Sequence, residues 1–278
     1  MSLNQTIVSN IENEGYNALS EYLASCSVIV TSEVEGFQHG TGVAVRYDNQ
    51  DYILTARHVL DQESDNVKIM VLGRTGAPYR DVRKNQIAAN SIHCLQKRDT
   101  FSQPTHIDIT RRLVGKENED IAAIKVQNAY GVLPHTVFHD LSGQRKTRTS
   151  AGLVVAICGF PGELAVQVKH RLTGQRGAAA FLHFAHQEIK KISDAPKNLH
   201  PKLDPKVDLV TDFIDDEKTC DPEGMSGCGV WSIPRCKEGK LWSSRESQLL
   251  GIQSGIYPLS KLLRFVRIER VLSLLSGS

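Results

Sequence analysis

Three short segments, taken in chain order, hold residue types that can together move a proton and attack a carbonyl. They are Thr55-Ala56-Arg57-His58, Glu119-Asp120-Ile121-Ala122 and Gly224-Met225-Ser226-Gly227. An imidazole accepts and returns a proton near neutral pH. A carboxylate behind it fixes its tautomer, and a hydroxyl within its reach becomes a nucleophile. The chemistry such a set allows is the opening of an acyl bond, a peptide bond among them. Histidine alone is weak evidence, since the chain has ten. The weight lies in three motifs in one order, each in a fitting local setting.

His58 follows a strand-like run that ends in Thr55-Ala56, which predicts a turn or short helix at the histidine. Asp120 stands at the mouth of an apolar run over 121–126, where an unpaired acid would be costly and orienting a histidine would satisfy it. Asp108, in Ile107-Asp108-Ile109, is the second candidate for that role. Ser226 has a glycine two positions before it and another directly after it, which permits a tight turn and close approach of a substrate. The backbone N–H groups of Gly224 and Ser226 can face a developing oxyanion, where losing one donor costs about 2.7–4 kcal/mol of transition-state stabilisation. Cys220 and Cys228 flank the serine, but a thiol nucleophile would need its own base and donors, so both are expected to support the site.

Positioning these residues falls to a set of short strands. Runs with β-branched residues or period-two alternation predict strands over 27–31, 40–47, 52–55, 67–72 and 120–126, with weaker ones over 86–95 and around 107. A second series covers 153–159, 165–172, 178–184, 207–213, 229–233 and 249–254. Near-helical spacing over 4–25 predicts a short N-terminal helix. Leu259, Leu262, Leu263, Val266, Val271, Leu272 and Leu275 predict a C-terminal helix over 259–278, with Arg264, Arg267 and Arg270 mostly on its solvated side. The expectation is an all-β chain of two packed antiparallel barrels: an N-terminal helical segment 1–26, a first barrel 27–135 with His58 and Asp120, a second barrel 150–258 with Ser226, and the terminal helix. The cleft between the barrels is where a site belongs.

Composition narrows the function classes. Hydrophobic residues make up 40% of the 278 and charged residues 23%, ordinary values for a globular chain. A net charge of +2 gives no reason to expect nucleic acid or a membrane surface as partner. No apolar run reaches membrane-spanning length, and residues 1–27 lack the pattern of a secretory signal. The six cysteines form no CxxC pair, which argues against a zinc site; reduced thiols in a cytoplasmic setting are expected, with a Cys220–Cys236 bridge as the alternative.

With these residues in hand, the segment 27–258 resembles the trypsin-like, chymotrypsin-fold serine peptidases, in the style of bacterial trypsin-like domains. The order His58, Asp120, Ser226 is that of the family, Gly159-Phe160-Pro161 resembles its Gly-aromatic-Pro corner, and Gly251-Ile252-Gln253-Ser254-Gly255 resembles the strand after its serine. The resemblance implies two six-stranded antiparallel β-barrels and a serine endopeptidase acting on protein or peptide, without metal or cofactor. It implies that Ser254 lies near Asp120, that Ser254, Gly255 and Ile256 flank bound peptide, and that Cys220 and Ile256 line an uncharged specificity pocket. Asp221 is the residue that points the other way. Met225 stands where the family often has an aspartate, no Ile-Val-Gly-Gly-like segment occurs near residue 30, and Cys228 and Arg57 replace small residues. Activation by a new N-terminus is therefore not expected. The alternatives are a peptide-binding pseudopeptidase, or a peptidase inactive until a regulatory partner orders the oxyanion loop. The 186–220 segment is a docking place for such a partner, although a plain solvated loop is the stronger reading of it.

Overall fold

The strands at the centre of the fold are apolar on both faces, and that feature organises the chain. The structure, a computed structural model, describes residues 15, 18–31, 39–61, 68–72, 80–81, 93–96, 105–108, 112–116, 118–133, 136–144, 149–161, 165–169, 176–180, 182–199, 203–212, 222–233 and 243–277. In chain order the strands are β1 Ser27–Thr31, β2 His39–Tyr47, β3 Gln50–Thr55, β4 Lys68–Leu72, β5 Arg80–Asp81, β6 His93–Gln96, β7 Thr105–Asp108, β8 Arg112–Val114 and β9 Ala122–Val126. They continue as β10 His139–Asp140, β11 Val154–Gly159, β12 Ala165–Lys169, β13 Arg176–Ala180, β14 Leu182–Glu188, β15 Asp208–Asp212, β16 Gly229–Ser232, β17 Leu249–Tyr257 and β18 Leu262–Arg267. Helical segments are α1 over 18–26, α2 Arg57–Asp61, α3 Ala129–Val132 and α4 Ile268–Leu275.

Two large sheets result. The first runs β7-β4-β1-β2-β3-β9, six antiparallel strands, extended by short β8 on β9 and by two-residue β10, which pairs parallel to β2. The second runs β15-β18-β17-β16-β11-β14. An Ile189–Thr211 bridge just beyond β14 joins that path back to β15 and closes six strands into a barrel. Strands β6 and β5, from the first half of the sequence, attach to it through β14. β12 and β13 form a separate two-stranded sheet. The architecture is mostly β and chymotrypsin-like, with six-stranded bodies lengthened by these short additions.

Period two sorts the side chains into three cores. Val28, Val30, Ala44, Ile53, Ala122, Ile124 and Val126 fill the first sheet's own interior. Val155, Ile157, Val230, Leu250, Leu263 and Phe265 fill the second's. Their neighbours along the same strands, among them Ile29, Val43, Val45, Leu54 and Ala123 from one sheet and Ala156, Trp231, Ile252 and Val266 from the other, meet in a shared seam. α1 and α4 close the seam with Leu19 and Leu23 and with Ile268, Val271 and Leu275. Among the described residues, no helix is long and apolar enough to cross a membrane.

The C-terminal segment departs from expectation. The helix predicted over 259–278 begins only at Ile268; residues 262–267 are β18, paired on both edges with β15 and β17. Leu263 and Phe265 face one core and Val266 the other, so an apolar run buried on both faces imitated helical spacing. The arginines are likewise not a solvated stripe. Arg264 is 3% exposed; its Nε donates to Asp208 Oδ1 at 2.8 Å and its Nη2 to the Asn118 carbonyl at 2.9 Å. Arg267 Nε donates to the Asp208 carbonyl at 2.9 Å, and Arg270 pairs with Glu119 at 3.4 Å. The strand expected over 178–184 is two, β13 and β14; the described part of the N-terminal helix is Gly15 and 18–26.

A second buried polar cluster pins α1. The Tyr22 hydroxyl meets His139 Nδ1 at 2.7 Å, and the imidazole stands edge-on to Trp231 with ring centroids 4.9 Å apart. Burial lowers the His139 pKa from 6.5 to about 4, because a charged ring there would lose its water. The unfolded chain therefore takes up a proton between those values that the native state refuses. The contribution of His139 is complete above pH 6.5 and declines as pH falls towards 4, by about 3 kcal/mol over that window. Urea unfolding at pH 7.5, 6 and 4.5 is expected to show a shallower acid loss in His139→Gln than in the native chain. Arg264→Met strands the Asp208 carboxylate in the interior and is expected to destabilise by about 3–5 kcal/mol; Arg264→Met/Asp208→Leu recovers most of it, measured as a double-mutant cycle.

Candidate active site

His58, Asp120 and Ser226 each sit on a segment with a local reason for its form. β3 ends at Thr55, and the chain turns through Ala56, fully buried, into α2. Leu60 anchors this short helix in the first sheet's interior with Val59 packed beside it, leaving the neighbouring His58 part-exposed. Asp120 stands between two buried residues, Glu119 and Ile121, in a tight loop closed by hydrogen bonds from Gly115 N to Ile121 O at 2.9 Å and from Ile121 N to Glu119 O at 2.7 Å. Arg264 and Arg270, from the C-terminal β18 and α4, hold this loop through Asn118 and Glu119.

The loop and helix meet at the carboxylate. His58 donates twice to Asp120, from its backbone N to Oδ1 at 2.9 Å and from ring Nδ1 to Oδ2 at 2.6 Å. A proton on Nδ1 leaves Nε2 as the free acceptor, the tautomer a general base needs. Asp108, the second candidate, ends β7, and its side chain lies outside the described residues.

The serine loop is built from two consecutive turns that share Met225. Met225 N donates to Pro222 O at 2.9 Å and Cys228 N to Met225 O at 2.8 Å. The third residues of these turns, Gly224 and Gly227, have φ of 88° and 93°, and neither Glu223 nor Ser226 has positive φ. That is the signature of type II turns, whose third position favours glycine. Gly227 is fixed by space as well: a Cβ there would lie 2.0 Å from the Thr41 carbonyl and 3.0 Å from Ala56 N. The loop therefore abuts the strand end that leads to His58. Among the described residues the N–H groups of Gly224 and Ser226 form no hydrogen bond, and none joins Ser226 Oγ to His58 Nε2. In unliganded sites such bonds are often long and tighten with substrate.

The remaining predicted residues divide. Ser254 sits where β17 bulges between Gln253 and Gly255; its hydroxyl is buried without a partner and is not bonded to Asp120. Gly255 and Ile256 are half-buried on β17, with the Arg264 Cβ 3.7 Å from the place a Gly255 Cβ would take. Cys220, Asp221 and Cys236 lie outside the described residues. Cys228 is a free thiol with no exposure, and burial holds its pKa well above the ordinary value, so it is no nucleophile. Among the described residues no cluster of His, Cys, Asp or Glu could hold a metal ion. Sequence reading missed Thr41 and Arg264, whose partners are remote in the chain; for Thr41 the one local sign was its place between Gly40 and Gly42.

No family model matches the sequence, and no curated protein does. Solved structures do match: the fold is similar to that of the serine endoprotease from Yersinia pestis, with a TM-score of 0.50 and 16% identity over 94% of this chain. The match spans 65% of the length of that protein. What the chain shares with it is a mostly β, chymotrypsin-like fold.

Proposed function

We propose that this chain is a serine endopeptidase. Ser226 Oγ bonds to the scissile carbonyl carbon while His58 takes its proton; His58 then protonates the leaving amine as the C–N bond breaks, and water releases the acyl group from the serine by the same route. Asp120 keeps the imidazole oriented throughout. The observation that carries this reading is the double hydrogen bond from His58 to Asp120 beside a serine turn with two unbonded N–H groups. Such donors would meet the charge that develops on the carbonyl oxygen. The fold shared with a serine endoprotease supports it.

An extended peptide is the substrate that fits the neighbouring strand. β16 pairs with β17 only as far as Ile252, and Cys228 continues to Gln253, while β18 runs along the other edge to Tyr257. Among the described residues no strand pairs with 254–256 on the β16 side, and strand addition at that edge is the binding mode this reading proposes. Ile256 and Cys220 carry no charge, which favours a neutral or apolar residue before the cut. Binding without turnover is the second reading; the absent Ser226–His58 bond favours it, and a partner that orders the pair belongs to the same reading.

A fluorophosphonate probe separates these readings. It is expected to label the native chain and to fail on Ser226→Ala and His58→Ala, with Asp120→Asn slowed by about 10⁴-fold because the wrong tautomer faces the serine. An unlabelled native chain would turn the assignment to the binding reading. In a peptide library, cleavage after Leu, Met or Val is expected, and strong cleavage after Arg or Lys overturns the proposed preference.

A further inference from the structure

We infer that the Thr41 hydroxyl is a positioning residue for the oxyanion turn, an inference that rests on the peptidase reading above. Thr41 lies on β2 of the first sheet, fully buried, yet most of its polar atoms reach the serine loop or the strand that leads to His58. Its backbone N donates to Ser226 O at 2.7 Å, and its hydroxyl donates to Gly224 O at 3.2 Å. The hydroxyl also accepts from Phe160 N at 2.9 Å, and the Thr41 carbonyl accepts from Thr55 Oγ1 at 2.8 Å.

These bonds determine which way the peptide units of the loop face. The unit joining Gly224 to Met225 is held at both ends, its carbonyl by the Thr41 hydroxyl and its N–H by Pro222 O. The unit joining Ser226 to Gly227 is held at both ends too, its carbonyl by Thr41 N and its N–H by Gln253 O. The unit between them has its carbonyl held by Cys228 N, so the N–H of Ser226 is left over, as is that of Gly224. Thr41 thereby fixes the residues that carry both free donors. The Met225 side chain adds an apolar anchor, 3% exposed in the second core, where an aspartate would need a cationic partner. A hydroxyl without solvent exposure, used both as donor and as acceptor between two sheets, is more than packing requires, since a methyl would fill the same space.

The test compares native chain, Thr41→Val, Thr41→Ser and Ser226→Ala for fluorophosphonate labelling rate, for kcat and KM on a cleaved peptide, and for thermal unfolding. Thr41→Val is expected to label and turn over about 10- to 100-fold more slowly with KM within about two-fold, since an oxyanion donor acts on the transition state. Thr41→Ser keeps both hydroxyl bonds and is expected to restore the native rate. Thr41→Val at the native rate overturns the inference while leaving the peptidase reading intact. So does a Thr41→Val whose loss Thr41→Ser fails to recover. A Thr41→Val that fails to fold while Thr41→Ser folds makes the hydroxyl a folding requirement and also overturns it. An unlabelled native chain overturns the peptidase reading and this inference with it.

Discussion

Two sheets that each need both faces covered can satisfy that need only by pressing against one another, and the resulting seam disciplines the molecule. Along β1, β2, β3 and β9, and again along β11 and β16, alternate residues enter a private core and the shared one. Such burial is worth about 25 cal/mol per Å² of apolar surface, but it strips water from any polar group caught inside. Several such groups have partners that lie far away in the chain, while others, the Trp231 indole N–H and the Ser254 hydroxyl among them, are buried without one among the described residues. Tyr22 joins α1 to His139, Arg264 joins Asp208 to Asn118, and Thr41 joins β2 to the loop over 222–228. Satisfying these groups and fixing one sheet against the other are the same requirement.

The candidate site inherits its order from that arrangement. His58 and Asp120 lie on segments that flank strands of the first sheet, and Ser226 on the turn that leads into a strand of the second, so the set is divided between the two. What aligns them is indirect: glycine at 227 lets the serine loop lie against Thr41 and Ala56, and the C-terminal arginines brace the loop that carries Asp120. Proton transfer and carbonyl attack tolerate displacements of only fractions of an ångström, which is why rigid support outside the reacting groups matters.

Much of this was legible in residue order. Glycines placed at 224 and 227 announce turns, Thr55-Ala56 ahead of His58 announces a strand ending, and the period-two runs of β1, β3, β11 and β17 announce a β protein. The mistaken stretch is instructive. Residues 262–267 are apolar on both faces, and a strand buried on both sides loses the alternation by which strands are recognised. Arg264 reinforced the error, because an arginine in sequence suggests solvent and its buried partner Asp208 stands 56 positions away. The Thr41 hydroxyl bond to Gly224 spans 183 positions. No local pattern encodes a pairing at that distance; it exists only once both sheets do.

The exchange of β5 and β6 into the second sheet has a consequence for how the chain is made. These strands leave the ribosome early, between β4 and β7, yet their neighbour β14 follows only at Leu182–Glu188. The first sheet can assemble around them in the meantime, but the nascent chain must carry an unpaired edge until the second half emerges. Half-synthesised chains thus offer that edge to association for the interval, and the joining of the two halves includes a strand addition to β14, outside the six strands that the Ile189–Thr211 bridge closes, as well as the packing of one face on the other.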